Sequence, residues 1–364
     1  MKDQVLAGIV AGRPLLGPQT VHIDLTNACN AACITCWDHS PALDTPRSTQ
    51  WKKQRIDPAD FEALLEDLDG LGSVQAMILS GMGDPLVHPE VDRLIAMVKA
   101  RGWHLTVLTN LVAANLETFP RSGVDQVLVG VHGATPDAYL KFHPGWTEAE
   151  FNTLCRGLRA LKADGVKVKH VQVINRDTAP ELVEMVDFGH TFGAERINYK
   201  LASLAEGTER TAITEVQRRW LAEAAIPEAR ARAEALGVAT NLDLFARQVA
   251  AAADFTVTTP IEEIGCFMGY VYTRITVEGD VLFCCNTEVK VGSLKEAKLS
   301  ELWRGPAWQA LRERLRAGRY FPGCDRCGKF EQNQKWSQRV RAAVGEEGFA
   351  KIVGPAAPRL KVLA

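Results

Sequence analysis

The sequence predicts an α/β chain in which a parallel, helix-covered sheet precedes a smaller α+β unit built on a β-hairpin. Three observations carry this. Six apolar, strand-like runs alternate with helical patterns between Val21 and Tyr199, and such alternation implies parallel strands joined by crossovers. Alternating residues on both sides of Glu278-Gly-Asp280 read as a hairpin. Between these regions, residues 201–260 turn rich in Ala, Glu and Arg and mark a boundary.

In order, residues 1–20 form a lead-in, broken by Gly12, Pro14, Gly17 and Pro18. Val21–Leu25 is the first strand, followed by three cysteines and then by a polar excursion from Asp38 to Arg55 that carries Pro41 and Pro46. Asp57-Pro58 opens a helix running to about Leu68, with aspartate as cap and proline in its first position. Val74–Ser80, Trp103–Thr109, Asp125–Val131, Val166–Ile174 and Glu195–Tyr199 are the next five strands. The helices between them span Pro89–Ala100, Ala113–Arg121, Glu148–Ala163 and Ala179–Phe192. Helices follow at Thr214–Leu236, interrupted at Pro227, and at Leu242–Ala253, before a new region begins at Thr256. The domain plan is a lead-in at 1–20, a core at 21–200, a helical linker at 201–260, a small domain at 261–335 and a tail at 336–364. Periodicity alone leaves the sheet open or closed.

With 364 residues, 46% apolar and 24% charged, the chain has the composition of a soluble globular protein with a large core. Net charge is −2 with both signs mixed, so a nucleic-acid partner is not expected. No apolar run approaches the ~20 residues of a membrane span, and the N-terminus makes a poor secretory signal. Nine cysteines, an odd number gathered at two places, favour metal centres over disulfides and a reducing, cytoplasmic compartment.

The first gathering is Asn27-Ala-Cys-Asn-Ala-Ala-Cys-Ile-Thr-Cys-Trp37, with Cys29, Cys33 and Cys36 directly after the first strand. Thiolates are soft ligands suited to iron–sulfur clusters, and three of them leave one iron of a four-iron cluster open. A zinc loop lacking one ligand, or cysteines packed as small hydrophobes, are the competing readings.

The spacing Cys-x3-Cys-x2-Cys resembles the signature of the radical S-adenosylmethionine (SAM) enzymes. That resemblance implies a partial six-stranded (βα) barrel of the TIM type, with chemistry at the strands' C-terminal ends, and an open iron that chelates SAM. Reductive cleavage of SAM would then yield a deoxyadenosyl radical that takes hydrogen from the substrate. The family prefers an aromatic or large apolar residue where Thr35 stands. Ser80-Gly-Met-Gly-Asp-Pro85 resembles the family's Gly-Gly-Glu-Pro motif. By that resemblance Gly81, Gly83 and Asp84 would bind the SAM amino group, with glycine allowing close backbone approach. Thr109, Asn110 and Asn175, at later strand ends, are expected SAM contacts; His132 is the expected base, with Arg176 as a further catalytic candidate.

The second gathering comprises Cys266, Gly279-x4-Cys284 with its neighbour Cys285, and Cys324-x2-Cys327. A four-cysteine zinc ribbon is one reading. The pattern also resembles the twitch or SPASM auxiliary domain of radical SAM enzymes, which implies a second 4Fe–4S cluster held by Cys266, Cys284, Cys324 and Cys327. The resemblance extends to aminocyclitol dehydrogenases such as 2-deoxy-scyllo-inosamine dehydrogenase. It implies oxidation of a secondary alcohol on a small, sugar-like substrate in antibiotic biosynthesis. The auxiliary cluster would accept the second electron, and an external reductant such as flavodoxin or ferredoxin would supply the first. Epimerisation with Cys285 or Cys155 as hydrogen donor, decarboxylation, and modification of a ribosomally made peptide are the alternatives. An iron–sulfur electron carrier is the non-enzyme reading. Peptide maturases are disfavoured on the expectation that they carry an extra N-terminal recognition domain.

Overall fold

The computed structural model describes residues 1–251, 261–324 and 327–354. They fall into two compact units. One is formed by residues 23–58 and from 77 through the helical region to 251. The other gathers residues 1–22, 59–76 and the described residues from 261 onward.

Ten strands occur among the described residues: β1 (Thr20–Asp24), β2 (Ala76–Ser80), β3 (His104–Thr109), β4 (Gln126–Gly130), β5 (Lys167–Ile174), β6 (Arg196–Leu201), β7 (Ala239–Thr240), β8 (Tyr272–Ile275), β9 (Asp280–Leu282) and β10 (Lys290–Ser293). In the larger unit they follow one another in chain order up to β7, and β3 to β7 pair in parallel. This is the expected partial (βα) barrel, within one or two residues at each strand end. Val168, His170, Ile174, Ile197 and Tyr199 are fully or almost fully buried. Ile174, Ile197 and Tyr199 join Leu182, Met185 and Val186 of the following helical segment in one core.

Four sequence expectations change here. A helix at Pro136–Phe142 was not foreseen, although Thr135 caps it and Pro136 starts it. The helix expected at Ala113–Arg121 reduces to a single 3₁₀ turn, Phe119–Arg121, where Pro120 sits and where Asn115 spends its side chain on the Glu117 N–H. Pro227 does not interrupt the helical run Glu215–Leu236, because it stands in the first turn of the segment Ile226–Leu236 after a π-type turn at Leu221–Ala225. That run is not a free linker either. Leu221, Ala225, Ile226, Ala229 and Phe245 complete the β5–β6 core, and Asn241 both accepts from and donates to the Tyr199 backbone.

In the smaller unit, β8, β9 and a third, unforeseen strand β10 form an antiparallel meander. Its core is organised by Arg312, which is 1% exposed. The guanidinium donates to the carbonyls of Gly269 and Trp303 and stacks over Trp303 and Trp308. The helix Lys2–Ala11 joins this unit through Arg316, which donates to the Ile9 carbonyl. The expected tail beyond residue 336 is instead part of a helix, Phe330–Val353, broken at Gly345. The end of the chain, and the region expected to open at Thr256, lie outside the described residues.

Asp125 illustrates how the N-terminal ends of β3 and β4 are pinned. Its carboxylate accepts from the Leu105 N–H at 2.7 Å and from Lys99 Nζ at 2.5 Å. Partial burial opposes the charge, but the Lys99 and Leu105 hydrogen bonds prevail and hold the carboxyl below its ordinary range. A depressed carboxyl stabilises the fold above the unfolded-state value and loses that contribution as pH falls. Asp125→Ala should therefore lower stability by about 1 kcal/mol at neutral pH, discounted for partial exposure. Denaturant midpoints measured down the pH scale should show the gap between variant and parent closing through the acid range.

Candidate cluster and cofactor site

The cysteine loop leaves the C-terminal end of β1, and the turn after β2 is laid directly against it. The N–H of Gly83 donates to the Thr26 carbonyl at 3.1 Å, and that of Asp84 to the Ala28 carbonyl at 2.9 Å. A β-carbon at Gly83 would lie 1.8 Å from the Ala28 oxygen, and one at Gly81 would lie 2.2 Å from the Thr26 oxygen. Glycine is required at both positions because backbone meets backbone there. The expected reason, close approach of a ligand, is thus joined by a stronger one.

Asp84 ties three strand ends together. Its buried carboxylate accepts from the N–H of Leu86, the hydroxyl of Thr109 and the N–H of Asn110 at 2.7–2.9 Å. Burial raises the Asp84 carboxyl, while these donors draw it back. Asn110 then reaches the loop itself, its Nδ2 donating to Asn30 Oδ1 at 2.8 Å. Gly81, Gly83, Asp84, Thr109 and Asn110 therefore form one connected frame around Cys29–Cys36.

The loop is clamped from a second side, by residues that sequence reasoning missed. Ile34 donates its N–H to the Phe142 carbonyl, and Trp146 donates its indole N–H to the Asn30 carbonyl. His143 stacks on Trp146 at 4.5 Å. The Thr135-Pro136 helix start was the legible signal for this segment.

The three sulfurs suit a metal cluster. Cys29 Sγ accepts from the Ala31 N–H, and Cys36 Sγ from the N–H groups of Asp38 and His39, at 3.3–3.5 Å. Burial pushes the Cys29 thiol up to about 12 and Cys36 above its ordinary value; Cys33 is pushed well above it by burial and then by Cys36 and Cys29. Thiolates so crowded need a cationic centre to compensate them, and the backbone donors are already aimed at the sulfurs.

The other candidates divide. His132, at positive φ, folds its ring back over Gly130, where a β-carbon would lie 2.8 Å from Nε2. Its Nδ1 accepts from the Val173 N–H at 3.1 Å, so the neutral ring carries its proton on Nε2. Burial, then His143 and Lys200, hold it well below its ordinary value. With one nitrogen occupied and the other protonated, His132 is a hydrogen-bond donor and not the expected base. Asn175 spends its side-chain oxygen on Asp177 and Thr178, as a turn. Arg176 is half exposed beside Asp177, outside the frame.

In the smaller unit, Cys266, Cys324 and Cys327 pack together against Ile261, Ile264 and Phe330. Asn286 donates its N–H to Cys284 Sγ, and its side chain binds the Pro322 carbonyl, bringing the hairpin end to the Cys324 turn. Asn333, which nothing in the sequence flagged, donates to Cys327 Sγ and accepts from the Phe267 N–H beside Cys266. A β-carbon at Gly328 would come within 3.2 Å of Cys285 Sγ. Cys284 and Cys285 share a hydrogen bond that pushes Cys284 up and Cys285 down. Cys266 feels Cys327, Cys324 and Cys285, and Cys284 feels Cys266 and Cys285, so the five thiols lie near one another.

Residues 23–189 match the model of the radical SAM superfamily, and residues 266–328 match that of an iron–sulfur cluster-binding domain, SPASM. A PqqA peptide cyclase of Xanthomonas campestris is 25% identical over 313 residues, covering 80% of this chain and 77% of the relative. A pre-heme d1 synthase of Dinoroseobacter shibae is 26% identical over 335 residues, covering 84% and 77%. Among solved structures, Streptococcus suis SuiB bound to S-adenosylmethionine aligns with a TM-score of 0.59 at 18% identity, over 90% of this chain and 74% of that one. The chain thus carries a radical SAM domain followed by a SPASM-type domain. These are the domains of radical SAM enzymes, and together they imply SAM and two 4Fe–4S clusters as the chain's cofactors. Of the described residues, no helix is long and apolar enough to cross a membrane.

Two variants test the frame. Gly83→Ala should displace the Ala28 carbonyl and lower reconstituted iron from about eight toward four per chain, the second nest being unaffected. Asp84→Asn sets an amide N–H against backbone donors and should cost about 1–3 kcal/mol of stability, read from thermal melts. Parent-like iron content in the first variant would show that the loop does not depend on this contact.

Proposed function

We propose that this enzyme modifies a peptide, joining two of its residues by an oxidative cross-link. The observation that carries this reading is the alignment with PqqA peptide cyclases, which covers 80% of this chain, on a chain that carries both a radical SAM and a SPASM-type domain. It favours the peptide alternative over the oxidation of a sugar alcohol, which was the first expectation, and it replaces the expected small-molecule partner with a peptide. The expectation drawn from the short N-terminal lead-in carries no weight against it.

In this reading, Cys29, Cys33 and Cys36 hold the cluster with the open iron, where bound SAM supplies hydrogen-atom abstraction from carbon. The frame of Gly81, Gly83, Asp84, Thr109 and Asn110 fixes that loop, and the exposed edge of the turn is where the SAM amino group would sit. Cys266, Cys324 and Cys327 hold the auxiliary cluster, with a fourth thiolate from Cys284 or Cys285. Cys284 keeps the Gly-x4-Cys spacing, whereas Cys285 is the thiol that acts on both Cys266 and Cys327. His132 offers its Nε2 proton to an acceptor such as a carbonyl.

The test is anaerobic incubation of the reconstituted enzyme with SAM, a low-potential reductant and two panels, one of precursor peptides encoded beside its gene and one of aminocyclitols. A peptide lighter by two hydrogens and resistant to sequencing across the linked residues is the expected product. Formation of a ketone from an aminocyclitol, with every peptide returned unchanged, would overturn the proposal. A second expectation concerns the nest: removing the true fourth ligand, Cys284 or Cys285, should cost the auxiliary cluster its iron, while removing the other should leave about eight irons per chain.

A further inference from the structure

Tyr139 sits in the helix Pro136–Phe142, which clamps the cysteine loop, and is 0% exposed. Its ring is fixed on every side: His143 lies at 4.3 Å, Phe151 at 5.2 Å and Trp146 at 5.6 Å between ring centres. The Tyr139 carbonyl accepts from His143 Nδ1 at 2.8 Å, which orients the neighbouring ring in turn. The phenol hydroxyl, however, has no hydrogen-bond partner among the described residues. Buried hydroxyls are almost always paired, since an unpaired one forfeits its water for nothing.

The surroundings say what is missing. Of the charged groups acting on the hydroxyl, Cys33 is the strongest, ahead of Cys155, Glu150 and Asp84. Cys33 also belongs to the stretch that this same segment holds, through Ile34 on Phe142 and Asn30 on Trp146. The ring neighbours His143, Trp146 and Phe151 give the hydroxyl no hydrogen bond, so the candidate acceptors are a sulfur on the Cys33 side, with the cluster bound there, and the sulfur of Cys155.

We propose that the Tyr139 hydroxyl donates a hydrogen bond to a sulfur of the SAM-binding cluster at Cys33 and so tunes the potential at which that cluster is reduced. Hydrogen bonds to cluster sulfurs stabilise the extra electron and raise the potential. Tyr139 is thus a positioning and tuning residue, away from substrate. It would matter because this cluster must accept an electron from a reductant before any chemistry begins. Cys155, mid-helix in Glu148–Ala163, is the competing acceptor, as it too acts on the hydroxyl.

The experiment is potentiometric electron paramagnetic resonance on the reconstituted holoenzyme, following the reduced-cluster signal that changes when SAM is added. Tyr139→Phe should shift that cluster to a more negative potential, leaving iron content and the auxiliary cluster's potential unchanged. In heavy water, one exchangeable deuteron coupled to the SAM-binding cluster, beyond those of the backbone N–H groups on Cys29 and Cys36, should be present in the parent and in Cys155→Ser, and absent in Tyr139→Phe. An unchanged potential together with an unchanged deuteron coupling would overturn the proposal. Were Tyr139→Phe to fold poorly, the parent decides: absence of that extra deuteron there would assign the hydroxyl to Cys155 and overturn the proposal. An enzyme reconstituting with one cluster fails earlier, on the cofactor assignment itself, and that outcome is read directly from iron content.

Discussion

The contact on which the larger unit depends is backbone on backbone: the Gly81–Asp84 turn pressed against Thr26 and Ala28 of the cysteine loop. Two N–H groups of the turn bond to two carbonyls of the loop, and the separation admits no β-carbon at either glycine. A loop carrying three thiolates close together has every electrostatic reason to splay. It is held because its carbonyls are taken by a neighbouring strand end and because Asp84 locks that strand end to Thr109 and Asn110. Rigidity at the strand ends becomes rigidity at the sulfurs.

The same logic recurs in the smaller unit with different parts. There the thiols come from three places in the sequence, and asparagines stitch them. Asn286 joins the hairpin end to the Cys324 turn, and Asn333 joins Cys327 to the segment of Cys266. Arg312 beneath them is buried against three aromatic rings, Trp303, Trp308 and Tyr270. Under the proposed assignment, three thiolates leave a position open for a reacting molecule, whereas a full set isolates its cluster from direct ligation.

Much of this was legible because its signals are local. Strand–helix alternation gave the parallel, helix-covered sheet, the family resemblance gave the barrel, and cysteine spacing pointed to the two iron–sulfur domains. What escaped was set by tertiary context. Asn333 lies on a helix that begins just after the last cysteine, and its role appears only when Phe267 is beside it. Tyr139 lies on a short helix and His143 just past its end; the Thr135-Pro136 start is clear in the sequence, but the task of gripping the loop depends on Ile34 and Asn30 far away in sequence. His132 was misread for a related reason: as a residue type it suggests a base, and the Val173 N–H that occupies its Nδ1 arrives from another strand. The reaction is the least legible part, because small-substrate and peptide enzymes share the same cysteine grammar.

The central claim is that the chain holds two clusters of unequal ligation, one open to SAM at Cys29, Cys33 and Cys36 and one closed by the second nest. Mössbauer spectroscopy of iron-57-reconstituted protein, with and without SAM, tests it most directly. The account predicts two 4Fe–4S sites in equal amounts, with SAM shifting the parameters of a single iron in one of them, and with that site alone missing after Cys29, Cys33 and Cys36 are replaced by alanine. One cluster accompanied by stoichiometric zinc, or SAM perturbing the site that survives the triple replacement, would contradict it.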